Sequence, residues 1–297
     1  MTAKRFAVIV NPRGGTRRGL RIMEQVRPVF AAVGAELDVR LTERAGHARE
    51  IARTADLAGF DGLCVVGGDG TVHEVVDGLM RRASAELIPL GVIPAGSANT
   101  IHQQLGCTDP VDAARRILAG TTCPLDVAQV TMGEQVVYCC DIIGWGGVAD
   151  INRTAESLRF LGPSRYTVSA LWHVVCAKRR RARLILDDQV CDDEFLFVIA
   201  CNTKFAGKQM RMAPHAEIGD GKLDVVVLRR ASRLQLLRLF SKVYDGSHLA
   251  LSFVEYYQVR SFAIESAGHE TLDLDGEVQG TAPVQVQVLP GALRLFA

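Results

Sequence analysis

The chain has 297 residues, of which 48% are hydrophobic, and its formal net charge is +1. This length allows one large or two medium domains with a substantial core, and we expect two. The small net charge excludes a global electrostatic reason to bind nucleic acid, and no run of about 18 apolar residues predicts a membrane span.

The eight cysteines form no C-x-x-C pair and mostly lie in apolar segments. This pattern is typical of free thiols in a reducing compartment. The apolar run before Asn11 is too short for a signal peptide. We therefore predict a cytoplasmic protein that at most lies peripherally on the inner face of a membrane.

In residues 1–124, apolar extended segments alternate with amphipathic segments. The patterns predict strands at 6–10, 36–41, 62–66 and 89–93, and helices at about 17–33, 46–58, 71–82, 98–105 and 110–119. This alternation predicts an α/β domain with a parallel sheet and helices on its faces. In such a sheet the ligand binds at the carboxyl ends of the strands, where the chain carries turn-rich loops at 11–15, 42–47, 67–70 and 94–99.

The third of these loops, Gly67-Gly68-Asp69-Gly70, follows an apolar strand and precedes a helix that we expect to start near Thr71. Glycines bring backbone N–H groups close to an anion, and a helix N-terminus favours negative charge. A carboxylate at Asp69 is unwelcome there unless it binds a metal or takes a proton, which points to phosphoryl transfer. The alternative is an ordinary Gly-Asp-Gly turn.

Residues 125–297 are dominated by extended segments and are predicted to form an antiparallel β domain with inserted helices. The predicted strands are 125–131, 135–143, 182–188, 194–202, 222–229, 257–265, 271–275 and 284–290, and the helices are about 163–177 and 232–244. The chain lacks the P-loop, protein-kinase and zinc-protease motifs, and its histidines show no ligand spacing. The segment at 144–149 is a loose match to a dinucleotide motif without an evident βαβ unit.

Several ordered motifs together resemble the diacylglycerol-kinase-type lipid kinases, over nearly the whole chain. They are Asn11-Pro12, the Gly-Gly-Asp-Gly-Thr segment at 67–71, residues 93–99 and the late Asp-Leu-Asp-Gly-Glu segment at 273–277. Further motifs at 150–152, 159–166, 213–217, 245–248 and 253–256 are similar to the sphingosine and ceramide kinase branch. The resemblance implies a Rossmann-like, phosphofructokinase-like domain for ATP, a β-sandwich for lipid, and Mg²⁺.

The resemblance also implies roles for individual residues. ATP would contact Asn11, Thr42, Gly67, Gly68, Gly70, Thr71, Glu74, Ser97, Arg159 and Arg165. Asp69 would be the base that takes the lipid hydroxyl proton, although the late Asp275 is the base in some relatives. Asp275 and Glu277 would place Mg²⁺ and the phosphates. For Arg159 and Arg165, the alternative is a pair of surface ion-pairing residues.

The residues assigned to the acceptor lipid are Asp150 and Asn152. In sphingosine kinases the position of Asn152 resembles an aspartate suited to the amine of sphingosine. A neutral amide loses that ion pair, which moves the expectation toward ceramide or diacylglycerol. We predict a kinase for ceramide or a sphingoid base, with a diacylglycerol kinase as the alternative and an NAD kinase or a non-catalytic nucleotide- or lipid-binding regulator as less favoured functions.

A basic run, 178–183, follows the apolar helix predicted at 163–177. We expect peripheral membrane contact through this run, because each cation near an anionic surface contributes about 1 kcal/mol. The alternative is a solvated helix end whose cations complement the helix dipole. No nucleic acid partner is predicted, since the run has no interleaved aromatic residues. A homodimer is left open.

Overall fold

The structure, a computed structural model, describes residues 3–14, 17–82 and 88–297, but not the side chains of Arg159, Phe160 and Pro163. The chain forms two compact units. Unit 1 consists of Met1–Val127 with Pro290–Ala297, and unit 2 consists of Ala128–Leu289. The predicted division at 124/125 differs mainly at the C-terminus, where Leu295 pairs with Leu90 and Phe296 packs edge-on against Phe6 at a centroid distance of 6.3 Å.

Unit 1 is the predicted parallel α/β domain, with the strand order β2-β1-β3-β4. Its elements are β1 Arg5–Val10, α1 Gly19–Ala31, β2 Glu36–Leu41, α2 His47–Thr54, β3 Gly62–Gly67, α3 Asp69–Met80, β4 Leu90–Pro94, α4 Thr100–Gln104 and α5 Pro110–Ala119. Every residue of β3 and β4 is buried, as expected for central strands covered on both faces.

Unit 2 is an antiparallel β-sandwich, which confirms the predicted class. Its elements, beginning with a strand that starts in unit 1, are β5 Thr122–Met132, β6 Gln135–Cys139, β7 Ile142–Gly146, α6 Gly147–Ser157, a 3₁₀ helix Arg159–Ser164, α7 Arg165–Val175, β8 Arg180–Leu186, β9 Gln189–Phe195, β10 Phe197–Cys201, β11 Leu223–Leu228, α8 Arg233–Lys242, a 3₁₀ helix Ser247–Ala250, β12 Glu255–Val259, β13 Ser261–Glu265, β14 Thr271–Leu274, β15 Glu277–Thr281 and β16 Val284–Phe296. One sheet has the order β12-β11-β10-β7-β14-β15. The other pairs β13 with both β8 and β16, and β8 with β9.

The sandwich core consists of side chains from both sheets, among them the fully buried Trp145 and Phe195. Several features depart from the predicted elements. The strands β9 and β15 were not predicted, and the single strand predicted at 135–143 is two strands, β6 and β7, that belong to different sheets. The helix α6 was not predicted, and it follows β7 directly because Gly146 adopts φ 75° and ψ −128°, which only glycine reaches without strain. The single strand predicted at 257–265 is two strands that belong to different sheets.

Candidate active site

The predicted phosphate turn lies where β3 passes into α3. Gly68 is the extended N-cap residue and α3 begins at Asp69, two residues earlier than predicted. A Cβ on Gly67 would lie 2.6 Å from Cβ of Thr71, and a Cβ on Gly68 would lie 2.9 Å from Cα of Gly96. Only glycine therefore fits at both positions, because one packs on the first turn of the helix and the other on the backbone of the next loop.

The Asp69 carboxylate accepts hydrogen bonds from the loop that leads into α4. Its Oδ2 accepts from the backbone N–H of Asn99 at 2.9 Å, and its Oδ1 accepts from the N–H of Thr100 at 2.7 Å and the Thr100 hydroxyl at 2.9 Å. Both oxygens are thus occupied within the protein. These three hydrogen bonds connect the glycine turn to the loop at 96–100.

Asn99 and Thr100 complete this connection, and neither was among the predicted site residues. Asn99 adopts a left-handed conformation with φ 55°. Its Oδ1 accepts from the Gly96 N–H at 2.9 Å, and its Nδ2 donates to the Gly96 carbonyl at 3.1 Å. The side chain therefore closes the Gly96 turn that lies against Gly68. Asn tolerates positive φ better than most residues, and this preference was the available signal in the sequence.

The other predicted nucleotide residues of unit 1 also lie around α3. Asn11 Nδ2 donates to the hydroxyl of Thr71 at 2.9 Å. Glu74 accepts from the backbone N–H groups of Gly46 and Ala48, at 2.8 and 3.1 Å, at the start of α2. Thus α3 is bonded to the first, second and fourth strand-end loops. The remaining predicted positions are in the same region: Thr42 is buried, Gly70 lies in the first turn of α3, and Ser97 is exposed.

In unit 2, the late carboxylate Asp275 lies in the hairpin turn between β14 and β15. Asp275 and Gly276 both have positive φ, 52° and 88°, as two-residue hairpin loops often require. The Asp275 carboxylate is buried and accepts from three consecutive backbone N–H groups, those of Cys140, Asp141 and Ile142, at 3.0, 2.8 and 3.0 Å. Asp275 therefore attaches the hairpin to the start of β7, whereas Glu277 is exposed.

A second buried carboxylate, Asp273, lies beside this turn and was not predicted as a site residue. Burial raises the pKa of Asp273 to about 7, and the Asp275 charge adds to the rise, although Oδ1 accepts from the Gly276 N–H at 2.9 Å. The signal in the sequence was the acidic segment at 273–277, in which Asp273 stands two residues before Asp275.

The two predicted acceptor residues lie on α6 in different surroundings. Asn152 is buried; its Nδ2 donates to the carbonyl of Gly276 at 2.6 Å, and its Oδ1 accepts no hydrogen bond within the described chain. Asp150 pairs with two guanidinium groups, Arg153 at 3.1 Å and Arg180. The amide thus keeps an unused acceptor beside the hairpin turn, whereas the neighbouring carboxylate is already neutralised.

Of the two predicted phosphate-binding arginines, Arg165 has a described side chain. It is half-buried, pairs with Glu156 at 3.3 Å and lies over the ring of Tyr166 at 4.7 Å. The backbone of Arg159 starts a 3₁₀ helix, and its side chain lies outside the described residues. These contacts hold Arg165 locally at the start of α7.

The basic run at 178–183 lies mostly at the start of β8, and its arginines are paired. Arg180 pairs with Asp150 as above, and the other three pair across to the carboxylates of neighbouring strands: Arg179 with Glu194, Arg181 with Asp192 and Arg183 with Glu265, at 3.2–3.4 Å. The run is therefore largely compensated within the protein. Among the described residues, no helix has the length and apolar character needed to cross a membrane.

Comparison with known families matches both parts of the chain. Residues 5–130 match the diacylglycerol kinase catalytic domain, and residues 141–297 match the YegS C-terminal NAD kinase beta sandwich-like domain. The chain is also similar to a solved diacylglycerol kinase from Bacillus anthracis str. Sterne, with a TM-score of 0.75 and 22% identity over 100% of this chain and 97% of that one. This likeness supports the fold alone.

Three curated relatives are each 28% identical to this chain. They are sphingosine kinase 1 of Arabidopsis thaliana, covering 93% of this chain and 68% of its own, ceramide kinase of Homo sapiens, covering 92% and 64%, and diacylglycerol kinase of Bacillus subtilis, covering 94% and 92%. Equal identity to the three does not select an acceptor. The motifs, the two-domain fold and these matches agree, and the chain belongs to the diacylglycerol-kinase-type family of ATP-dependent lipid kinases.

Proposed function

We propose that this kinase transfers the γ-phosphate of ATP to the primary hydroxyl of a neutral sphingolipid, ceramide. The observation that carries this proposal is the state of the two acceptor residues on α6. Asn152 is a buried neutral amide with an unused acceptor oxygen, and the carboxylate of Asp150 is paired with Arg153 and Arg180. Free sphingosine and diacylglycerol are the alternatives within the family.

The pairing of Asp150 argues against free sphingosine as the preferred acceptor. Its ammonium group would lose water on entering a partly buried site, and an unpaired ion in such a site costs several kcal/mol. Asn152 offers a dipole but no charge. Asp150 could compensate the ammonium only by leaving two guanidinium groups, one of which, Arg180, is itself largely buried. A neutral lipid avoids this cost.

The unused Oδ1 of Asn152 favours ceramide over diacylglycerol. A buried acceptor without a donor costs about 1–3 kcal/mol, and a ligand that supplies the donor recovers this energy. Ceramide carries an amide N–H and a second hydroxyl near the reacting oxygen. Diacylglycerol carries only ester oxygens there, which are acceptors. Ceramide can therefore donate a hydrogen bond to Oδ1 of Asn152 from a group next to the reacting hydroxyl, whereas diacylglycerol cannot.

The two carboxylates predicted as the base, Asp69 and Asp275, both hold backbone N–H groups in the structure. Phosphoryl transfer depends mainly on positioning and electrostatic stabilisation. We propose that Asp69 positions the phosphate-facing loops of unit 1, and that Asp275 positions the hairpin turn next to Asn152. Neither positioning role requires the carboxylate to abstract a proton.

The Mg²⁺ that accompanies ATP in such reactions was predicted to bind Asp275 and Glu277. The donor set does not fit this pair, because the Asp275 oxygens accept three backbone N–H groups inside the protein while Glu277 lies on the surface. If Asp275 is not a ligand, Glu277 would be the one member of the predicted pair left to bind the ion. We therefore assign no step to a metal held by these two residues.

The proposal is tested by turnover with labelled ATP and an acceptor panel in mixed micelles of equal lipid mole fraction. Ceramide, sphingosine and diacylglycerol of matched chain length are compared by kcat/KM. Ceramide is expected to exceed both others by about tenfold, the factor that corresponds to about 1.4 kcal/mol. A preference for sphingosine or for diacylglycerol would contradict the assignment of the acceptor and leave the kinase assignment intact.

A further inference from the structure

The hairpin turn between β14 and β15 contains a glycine whose two polar backbone groups are both held by side chains. The Gly276 N–H donates to Oδ1 of Asp273 at 2.9 Å, and the Gly276 carbonyl accepts from Nδ2 of Asn152 at 2.6 Å. Gly276 has φ 88°, and glycine rotates about its backbone bonds more freely than other residues. The direction of its carbonyl therefore depends on contacts from outside the turn.

Asp273 is fixed before the turn begins. It is buried in β14, opposite Gly144 of β7. A Cβ on Gly144 would lie 2.7 Å from Cγ1 of Val148, in the first turn of α6, and 3.3 Å from Cβ of Asp273. The missing side chain of Gly144 thus leaves space for Asp273 beside α6. The strand holds the carboxylate in place, and the carboxylate holds the N–H of the turn.

The Gly276 carbonyl determines which end of the Asn152 amide faces the turn. A carbonyl oxygen only accepts hydrogen bonds, so the NH₂ end of the amide must point toward it. The oxygen end then points away from Gly276, and Oδ1 is the atom without a partner within the described chain. If Gly276 rotated and turned its N–H toward Asn152, the amide would turn its oxygen inward. The free end of the amide would then be a donor.

We propose that Asp273 is a positioning residue that acts through Gly276. By holding the Gly276 N–H, it keeps the Asn152 amide in the orientation that leaves Oδ1 free for a donor of the acceptor lipid. The consequence for acceptor choice rests on the proposed function, in which this oxygen accepts from ceramide. The orientation of the amide in the free protein does not depend on that assignment, so the two are tested separately.

Hydrogen exchange of the Asn152 side-chain NH₂ tests the orientation without a substrate. The NH₂ resonances are recorded by NMR in the full chain and are identified by their absence from Asn152→Ala. The bond to Gly276 should slow their exchange in the wild type, because it must open before a proton exchanges. Asp273→Ala should accelerate the exchange by at least about tenfold, since Gly276 is then held on one side alone. Equal exchange rates in the two proteins would overturn the proposal.

Asp273→Asn is the conservative variant, because its amide oxygen can still accept from the Gly276 N–H. It keeps the volume of the side chain, so the proposal stays testable if the smaller alanine loosens the core. We expect the wild-type exchange rate in Asp273→Asn and in Asp188→Ala, the control at an exposed position between β8 and β9. Fast exchange in Asp273→Asn would assign the effect to the charge and overturn the route through Gly276.

Acceptor kinetics in mixed micelles connect the orientation to the choice of lipid. Asp273→Ala should lower kcat/KM for ceramide about tenfold and leave that for diacylglycerol within about twofold, because diacylglycerol has no second donor for Oδ1. The KM for ATP should stay unchanged. Equal losses for both acceptors are the result of a merely structural role and would overturn the proposal.

A double-mutant cycle checks that Asp273 acts through Asn152. In the Asn152→Ala background, Asp273→Ala should cause no further loss of kcat/KM for ceramide, whereas additive losses would overturn the proposal. A wild type that does not prefer ceramide would contradict the proposed function. The exchange rates of the Asn152 NH₂ would still decide the role of Asp273, because they are measured without lipid or ATP.

Discussion

Replacing Asp69 with asparagine distinguishes two roles for this carboxylate: positioning the loop that leads into α4, and abstracting a proton as a general base. In the structure it accepts from the N–H groups of Asn99 and Thr100 and from the Thr100 hydroxyl, at 2.7–2.9 Å. An amide removes the charge from all three bonds and turns an NH₂ group toward a backbone N–H. Hydrogen bonds to charged groups contribute about 1.5–3 kcal/mol each, and the amide oxygen retains part of this. We expect a loss of about 2–3 kcal/mol of unfolding free energy.

In the wild type, Gly96 of the loop at 96–100 packs on the backbone of Gly68. Asp69→Asn weakens the hydrogen bonds that hold this loop, so the loop should move away from the glycine turn. We therefore expect the KM for ATP to rise about tenfold, which corresponds to about 1.4 kcal/mol of binding. The assay is steady-state kinetics with ATP as the varied substrate, together with urea unfolding of the same samples. A positioning role changes KM and stability together.

Thr100 provides the matched series for this experiment. Thr100→Val removes only the hydroxyl donor to Asp69, and it should lower the free energy of unfolding by about half as much as Asp69→Asn does. Thr100→Ser keeps the hydroxyl and should keep the wild-type stability. An Asp69→Asn variant with unchanged KM for ATP and unchanged stability, but with kcat lowered by about 10² or more, would exclude the positioning role. That result is the one expected of a general base.

Three further changes test other parts of the account. Asp275→Asn should lower the unfolding free energy by about 3 kcal/mol, since it disturbs three buried backbone bonds, whereas Glu277→Gln on the surface should stay within about 0.5 kcal/mol in urea titrations. Glu74→Gln should lower the free energy of unfolding by about 1 kcal/mol, because it weakens the hydrogen bonds to the backbone at the start of α2. Glu24→Gln, at an exposed position of α1, is the control and should leave the free energy of unfolding unchanged. Burial lowers the pKa of His102 to about 4, so about 3 kcal/mol of unfolding free energy that is present above pH 6.5 should be lost as the pH falls toward 4. A difference in unfolding free energy between the wild type and His102→Gln that does not change with pH would contradict this. His269→Gln, at an exposed position, is the control and should show the wild-type pH dependence.

The architecture was largely predictable because it depends on local periodicity. Alternating apolar strands and amphipathic helices indicated the parallel sheet of unit 1, and four turn-rich loops were correctly placed after its strands. The helix α6 was missed because its start depends on one residue, Gly146, whose positive φ turns a strand directly into a helix. That conformation leaves no periodic signal.

The partners of the site residues were not predictable because they are distant in the chain. Asp69 binds residues 30 and 31 positions later, and Asp275 binds Cys140 across 135 positions. A sequence shows that a carboxylate is present but not which donors meet it. For the same reason the basic run read as free charge, although Arg181 and Arg183 pair with acids on the neighbouring strands β9 and β13.

We propose that this kinase prefers a neutral sphingolipid because Asn152 offers an amide where a charge would be needed to pair with an amine. The direct measurement is the ratio of kcat/KM for ceramide to that for sphingosine, in the wild type and in Asn152→Asp. We expect a wild-type ratio above about ten, and a fall of at least about tenfold in the variant, because the new carboxylate supplies about 1.4 kcal/mol of pairing to the ammonium. A wild type that prefers sphingosine, with a ratio that Asn152→Asp does not change, would contradict it.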